Sequence, residues 1–199
     1  MLTVAVQAGG ESHRMGVDKA RVDFLGQPLI ARVLERVALL ADEILVTTNQ
    51  PEAYTFLQVP CIPDLLPDCG ALGGLYTALS AARNPLVAVI ACDMPFASAK
   101  LLAYQRDILM TTSADAAIPH TPEGLEPFHA IYRKGTCLPL VQAALEAGQR
   151  RVDSWMAQAH IRYLTPAEIT RHDPDGLAFL NTNTPAELAA AIRMDKMAR

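Results

Sequence analysis

The sequence predicts a three-layer α/β fold in which a mainly parallel central sheet is covered by helices. Segments 2–8 and 86–92 are short, continuous apolar runs, as expected for strands buried on both faces. Between such runs lie segments with the 3.6-residue apolar period of amphipathic helices, of which 29–41 is the clearest. Strands that alternate with helices are typical of α/β domains.

The individual elements follow from the same patterns. The first strand ends at Gly9-Gly10, a polar loop follows, and segment 20–25 alternates enough for a short strand. Pro28 precedes the helix 29–41 and favours its start. The remaining predicted elements are a strand at 43–49, a helix that begins after Gly73-Gly74, a helix at 98–110, a strand at 114–118 and a helix at 136–147.

The last helix has the strongest start signal in the chain. Thr184 is its predicted N-cap, Pro185 occupies the first helical position, and Glu187 completes a capping box.

The length of 199 residues predicts one domain, 1–199. The proline-containing, turn-prone stretch 119–127 divides this domain into a nucleotide-binding part, about 1–118, and an acceptor-binding part, about 119–199.

Charge and hydropathy narrow the class of partner. The net charge is −4, with no dense basic stripe, which argues against a nucleic-acid partner. No apolar run reaches membrane-spanning length, and the first residues do not resemble a signal peptide. We therefore expect a cytoplasmic protein that binds no membrane and is a monomer or weak oligomer.

Residues suited to phosphate and metal chemistry follow the predicted strands. Because the carboxyl ends of parallel strands meet at one edge of the sheet, these residues are expected to converge. Glycines let backbone amides approach a phosphate, while arginine and lysine neutralise its charge. The loop after the first strand contributes Gly9, Gly10, Ser12, Arg14 and Lys19, and strand 43–49 contributes Thr47, Thr48 and Asn49.

Asp93 follows the apolar strand 86–92 directly. A carboxylate at the end of a strand suits Mg²⁺, which takes one or two carboxylates and keeps waters and substrate phosphates as its other ligands. The alternative is a solvated turn aspartate or a helix cap, and the residue taken alone favours this alternative, because aspartate is common in turns.

Several motifs together resemble those of the MobA-like molybdenum cofactor guanylyltransferases. QAGGESHRMGVDK is similar to the family's A-G-G-x-S-x-R-M-G-x-D-K signature. Five further segments match family motifs in the same order: LPDCGALGGL, ACDMP, EPFHAIYR, GQRRVDSWM and FLNTNTPAEL. The resemblance covers most of the chain.

The resemblance implies a Rossmann-like nucleotidyltransferase fold, GTP as the nucleotide substrate, Mg²⁺ as the cofactor and molybdopterin as the acceptor. It also implies molybdenum-insertion proteins and molybdoenzymes as partners. By motif position, the implied catalytic residues are Arg14, Lys19 and Asp93, and the implied metal ligands are Asp93 and Asn183. The implied nucleotide-binding residues are Gln7, Ala8, Gly9, Gly10, Ser12, Arg14, Lys19, Thr47, Asp64, Gly70, Gly74 and Asp93.

The acceptor is expected to contact residues of the second half of the chain. Arg150 and Arg151 are adjacent cations that could hold its phosphate, although a solvated pair at a helix start is an equal alternative. His129 could hydrogen-bond the pterin, against the alternative of a satisfied histidine on a buried strand. Asn181 and Asn183 complete the candidate acceptor-binding residues.

Three positions depart from the family pattern. Gln7 stands where the family usually has leucine, Thr47 where some members have asparagine, and Ala71 where the family has proline. These changes affect the prediction of base selectivity more than the phosphate chemistry. A cytidylyltransferase, a transferase for another phosphorylated acceptor, and a nucleotide-binding module without turnover therefore remain as alternatives.

Overall fold

The computed structural model of the protein describes residues 1–8 and 18–197. In these residues no helix has the length and apolar character needed to cross a membrane. The strands are β1 (Leu2–Gln7), β2 (Asp23–Phe24), β3 (Gln27–Pro28), β4 (Glu43–Thr47), β5 (Cys61–Ile62), β6 (Leu86–Ala91), β7 (Ala116–Thr121), β8 (Gly124–Leu125), β9 (His129–Arg133) and β10 (Ile161–Leu164). The α-helices are α1 (Leu29–Val37), α2 (Gly70–Ala81), α3 (Ala99–Thr111), α4 (Lys134–Glu146), α5 (Pro166–His172) and α6 (Pro185–Met197).

The central sheet is mixed and mostly parallel, which confirms the predicted fold class. Its order is β10-β7-β9-β6-β1-β4-β5, with β8 paired to β7. β1 lies between the parallel strands β4 and β6, and β4 is parallel to β5. β9 runs antiparallel to both β6 and β7. The nucleotide-binding part predicted from the sequence therefore contains the parallel strands around β1.

Both faces of the sheet are covered, which explains why its central strands are continuously apolar. Val4 of β1 packs on one face in a cluster with Ile30 of α1 and Leu101 of α3. Ala5, the next residue, belongs to a second cluster with Leu75 of α2 on the opposite face. Successive side chains of a strand point to opposite faces, so both positions must be apolar.

Helix α2 begins earlier than the sequence analysis predicted. It starts at Gly70 and runs through Gly73 and Gly74, which were expected to precede it. Because these two residues have no side chain, neighbouring groups can come close to the helix. A Cβ on Gly74 would stand 2.8 Å from Nε2 of Gln7. Gly70, with φ of +57°, supplies the left-handed backbone at the helix start.

Three other elements also differ from the prediction. The strand expected at 20–25 is shorter, because Lys19–Arg21 form a 3₁₀ turn and only Asp23–Phe24 pair with β3. Strand β10 and helix α5 were not predicted. The sequence does carry a signal for α5, since Thr165 and Glu168 form the same type of capping box that was recognised at α6.

The capping box predicted for α6 is confirmed. The amide of Glu187 donates to the Thr184 hydroxyl (3.2 Å), and the amide of Thr184 donates to the Glu187 carboxylate (2.8 Å). The helix is held to α1 by an ion pair between Arg32 and Asp195 (2.5 Å). These contacts fix the segment that enters α6 beside the sheet.

Candidate active site

Three neighbouring parallel strands end at the same edge of the sheet. Gln7, the last residue of β1, pairs with Thr47 of β4 and with Ala91 of β6. The amide of Ala8 donates to the Thr47 carbonyl (2.8 Å), and the amide of Cys92 donates to the Gln7 carbonyl (3.0 Å). The residues after these strands therefore leave the sheet side by side, where open α/β sheets bind their ligands.

Asp93 stands at this edge, two residues after β6 ends. Burial raises the pKa of its carboxyl; the positive charge of Lys19 opposes the rise, and the negative charge of Glu187 adds to it. The backbone carbonyl of Asp93 accepts hydrogen bonds from the amide (3.0 Å) and the hydroxyl (3.2 Å) of Thr182. The Asp93 turn is thus fixed by a residue 89 positions further along the chain.

Lys19 reaches the same place from the other end of the chain. Its ammonium group donates to Oδ1 of Asn183 (2.9 Å), across a separation of 164 residues. The backbone amide of Asn183 in turn donates to the carboxylate of Glu187 (2.8 Å). The structure therefore brings together the ammonium group of Lys19, the amide oxygen of Asn183 and the partly buried carboxylate of Asp93. Lys19 and Asp93 were predicted to be catalytic.

Thr182 and Glu187 are contributions to the site that the sequence analysis missed. Thr182 is buried and binds the Asp93 carbonyl, while Glu187 was predicted only as a cap. A signal was present, since both lie in the same motif, FLNTNTPAEL, as Asn183. The motif does not show which of its polar side chains face the sheet.

The polar residues predicted at the end of β4 differ in exposure, since Thr47 and Thr48 are buried and Asn49 is exposed. The side chain of Thr47 is buried, with 1% of its surface exposed. Asn49, two residues later, exchanges hydrogen bonds with Asp64: its Nδ2 donates to the Asp64 carboxylate (2.9 Å) and its Oδ1 accepts from the Asp64 amide (3.2 Å). Asp64 is therefore held at the surface beyond β5, while the contact of Thr47 with the nucleotide stays a prediction.

The first turn of α2 connects the nucleotide side to the predicted acceptor side. The backbone carbonyl of Arg150 accepts a hydrogen bond from the amide of Leu72 (3.3 Å). A Cβ built on Gly70 would lie 3.7 Å from the same carbonyl. The segment carrying the two predicted acceptor-binding arginines therefore packs directly on the start of α2.

Arg150 and Arg151 differ in what their guanidinium groups contact. Arg151 forms a fork with the Asp153 carboxylate, with distances of 3.0 Å from Nε and 2.8 Å from Nη2. This pairing lowers the pKa of Asp153. Arg150 contacts only the backbone carbonyl of its neighbour Gln149 (2.8 Å) in the described part of the chain. Arg150 is therefore the less engaged of the two cations.

A cleft of about 370 Å³ opens beside Arg151. One wall is the turn between β7 and β9, and the other is the segment that follows Arg150. The residues lining it are Glu123, Gly124, Leu125, Pro127, Arg151, Val152 and Asp153.

His129 is fully buried, as in the alternative of a core histidine, but only its Nε2 has a hydrogen-bond partner among the described residues. Its Nε2 accepts a hydrogen bond from the amide of Ser98 (3.0 Å), and Phe179 packs edge-on against its ring with centroids 5.3 Å apart. Burial lowers the pKa of His129 to about 4, so the ring is neutral at physiological pH. His129 thereby anchors the segment between Asp93 and α3.

Two of the remaining predicted site residues, Asn181 and Asn183, differ in their exposure. Asn181 is partly buried and lies two residues before Asn183, which is exposed. Gly9, Gly10, Ser12 and Arg14 lie outside the described residues.

The oxygen atoms at this edge fit a magnesium ion. The described residues contain no group of three or more His, Cys, Asp or Glu side chains that could hold a metal by themselves. Mg²⁺ does not require such a group, because it is commonly held by one or two carboxylates together with substrate phosphates. Asp93 supplies a carboxylate whose burial disfavours its charge, which a cation would offset, and Asn183 supplies an amide oxygen nearby.

A mostly parallel α/β sheet with lysine, carboxylate and amide groups at its carboxyl edge is an arrangement suited to a nucleotidyltransferase. The sequence profile of the MobA-like NTP transferase domain matches residues 4–162. The chain belongs to this family.

Relatives and solved structures agree with this assignment. The chain is 34% identical to a probable molybdenum cofactor guanylyltransferase of Peptoclostridium acidaminophilum, covering 92% of this chain and 85% of the relative. It is 37% identical to the molybdenum cofactor guanylyltransferase of Burkholderia lata, covering 94% and 93%. The crystal structure of molybdopterin-guanine dinucleotide biosynthesis protein A from Archaeoglobus fulgidus superposes with a TM-score of 0.85 at 25% identity, covering 98% and 99%.

Proposed function

We propose that this protein transfers GMP from GTP to the terminal phosphate of molybdenum-loaded molybdopterin, forming molybdopterin guanine dinucleotide and releasing pyrophosphate. The observation that carries the proposal is the meeting of Lys19, Asp93 and Asn183 at the carboxyl edge of β1 and β6. The activity named for the curated relatives supports the choice of GTP and of this acceptor.

The reaction is a direct displacement at phosphorus. An oxygen of the acceptor phosphate forms a bond to the α-phosphorus of GTP, and the bond from that phosphorus to the oxygen bridging to the β-phosphate breaks. The bonding electrons leave with pyrophosphate. The nucleophile is already negatively charged near neutral pH, so the protein must chiefly align the reactants and stabilise charge.

Lys19 is the residue that neutralises phosphate charge in this scheme. Its ammonium group is held by Asn183 within electrostatic reach of Asp93, so it is oriented before the nucleotide arrives. Charges that are oriented in advance stabilise a transition state without further reorganisation. Arg14 is proposed to act with Lys19 on the same phosphates.

Asp93 and Asn183 are the proposed magnesium ligands. When bound, Mg²⁺ would supply positive charge to the phosphate oxygens of both substrates. Thr182 holds the Asp93 turn in place, and Glu187 orients the backbone of Asn183.

The two substrates are proposed to occupy opposite sides of this cluster. GTP lies over the ends of β1 and β4 and the start of α2, where it contacts Gln7, Ala8, Asp64, Gly70 and Gly74. The acceptor lies toward Arg150, Arg151 and the cleft of about 370 Å³ beside them. The hydrogen bond from Leu72 to the Arg150 carbonyl makes these two regions contiguous.

A transfer assay tests the proposal. The purified protein is incubated with molybdopterin, MgCl₂ and either GTP or CTP, and pyrophosphate release and the dinucleotide product are measured. We expect product with GTP, its loss with a chelator, and its recovery when Mg²⁺ is restored. Preferential use of CTP, or GTP binding without pyrophosphate release, would instead support one of the alternative functions.

A further inference from the structure

Tyr54 lies in the crossover between β4 and β5, outside the residues that line the candidate site. It is the buried residue of the 3₁₀ helix Pro51–Leu57, with 1% of its surface exposed. Its ring belongs to the same core cluster as Val4 and Val46 of the central strands. The position of the ring is therefore set by the packing of the sheet.

The hydroxyl of Tyr54 is directed at the residue that precedes the proposed catalytic lysine. It donates a hydrogen bond of 2.6 Å to Oδ2 of Asp18. Burial, followed by the neighbouring Asp18 carboxylate, raises the pKa of Tyr54 far above its ordinary value. The hydroxyl thus stays protonated over the working pH range and remains a donor to Asp18.

The other carboxylate oxygen of Asp18 caps the turn that carries Lys19. Its Oδ1 accepts from the amide of Ala20 (3.1 Å), and Asp18 is the N-cap of the 3₁₀ turn Lys19–Arg21. Both oxygens of the carboxylate are therefore engaged, one by the core and one by the turn. Rotation of this side chain would change the direction in which Lys19 leaves the backbone.

We propose that Tyr54 is a positioning residue for catalysis, which aims Lys19 at the substrate phosphates by holding the Asp18 carboxylate. The connection runs from Tyr54 to Asp18, through the turn to Lys19, and from Lys19 to Asn183. This connection fixes Asp18, which precedes the Lys19–Arg21 turn, to the β4–β5 crossover. The inference rests on the proposed transfer reaction and adds a residue that does not touch either substrate.

The chain offers a matched pair of variants for this proposal. Tyr54→Phe removes one hydroxyl and leaves the buried ring in place. Tyr104→Phe is the control, because it also removes a hydroxyl bonded to a carboxylate, that of Glu168 (2.8 Å), but on α3. Each variant is compared with the wild type for thermal unfolding, and for kcat and KM in GMP transfer.

We expect Tyr54→Phe to lower kcat by on the order of ten- to a hundredfold, because small displacements of a catalytic group are costly even when they originate at a distance. Tyr104→Phe is expected to retain wild-type turnover. Equal kcat values for Tyr54→Phe and the wild type would overturn the proposal. Inactivity of the wild type itself would instead contradict the proposed function.

A double-mutant cycle separates positioning from a general effect on the fold. Tyr54→Phe is repeated in a Lys19→Met background, and residual transfer is followed with excess enzyme. If Tyr54 acts through Lys19, its substitution has no further effect on kcat once the ammonium group is absent. The same loss of kcat in both backgrounds would show that Tyr54 acts through the structure as a whole, and would overturn the proposal.

Discussion

Gly73 of α2 lies so close to Cys69 that a methyl group on the glycine would stand 2.6 Å from the Cys69 Cβ. The same methyl group would also lie 3.3 Å from the backbone carbonyl of Leu66. Neither neighbour can move without shifting the backbone that leads into the helix. A methyl group on the next residue, Gly74, would meet only the end of the Gln7 side chain, at 2.8 Å from its Nε2.

These two glycines are therefore expected to respond differently to alanine. Gly73→Ala should lower the free energy of unfolding by about 1–3 kcal/mol, as is usual for overpacking at a rigid contact. Gly74→Ala should leave stability nearly unchanged, because the flexible amide of Gln7 can move and alanine favours the helix by roughly 0.5–1 kcal/mol. Urea denaturation of the two variants measures both effects. Equal losses of stability would contradict the difference in packing.

Gly74→Ala should nevertheless affect the nucleotide. Nε2 of Gln7 is buried without a hydrogen-bond partner among the described residues, at the end of the strand where GTP is proposed to bind. Displacing it is expected to raise the KM for GTP without changing the KM for the acceptor. An unchanged KM for GTP would place Gln7 outside the nucleotide site.

Asp93→Asn is expected to separate activity from stability. Burial raises the folded-state pKa of this carboxyl above that of the unfolded chain, so its ionised form destabilises the folded protein. This penalty is present at pH values above the folded-state pKa and is relieved as the pH falls through it. The neutral amide should therefore raise the midpoint of thermal unfolding at pH 7, while GMP transfer falls about 10²–10³-fold.

Asp107→Asn, an exposed position on α3, is the control for loss of a carboxylate and should change neither property strongly. Near-normal transfer by Asp93→Asn would remove Asp93 from the proposed metal site. A lowered unfolding midpoint at pH 7 would show that its charge is stabilised in the fold.

Lys19→Ala is expected to lower kcat by about 10²–10³-fold, because it removes a charge oriented toward the phosphates. Asn183→Ala should have a smaller effect, since the ammonium group remains without its hydrogen bond of 2.9 Å and Asp93 remains as a ligand of the proposed magnesium ion. Steady-state kinetics of both variants, with the exposed Lys100→Ala as the control, test this order. A larger loss for Asn183→Ala than for Lys19→Ala would show that Asn183 matters more as the proposed magnesium ligand than as the partner of Lys19.

His129 is expected to make stability dependent on pH. Its folded-state pKa of about 4 lies below the ordinary value of 6.5, so its contribution is fully present above pH 6.5 and is lost as the pH falls toward 4. The loss amounts to about 3 kcal/mol in the free energy of unfolding. His129→Leu should remove this part of the pH dependence, although it also leaves the Ser98 amide without its acceptor.

Chemical denaturation between pH 4 and 7 provides the measurement. His160→Gln, at an exposed position, is the control for loss of an imidazole. A wild-type profile in the His129→Leu variant would show that other groups cause the acid sensitivity.

Local patterns in the sequence determined the architecture. The apolar runs that became β1 and β6, the period of α1 and the capping box of α6 each depend on residues close together in the chain, so they could be identified directly. The same holds for the position of Asp93 immediately after a strand. The parallel arrangement then placed the strand ends at one edge.

Only the tertiary structure decided which side chains meet there. The contact of Lys19 with Asn183, and that of Thr182 with Asp93, join residues 164 and 89 positions apart. No periodicity or spacing records such contacts, because they depend on how α6 packs against α1 and against Phe24 of β2. Burial likewise depends on the whole fold, which is why His129 and Thr47, polar residues on strands, proved to be enclosed rather than exposed at the edge.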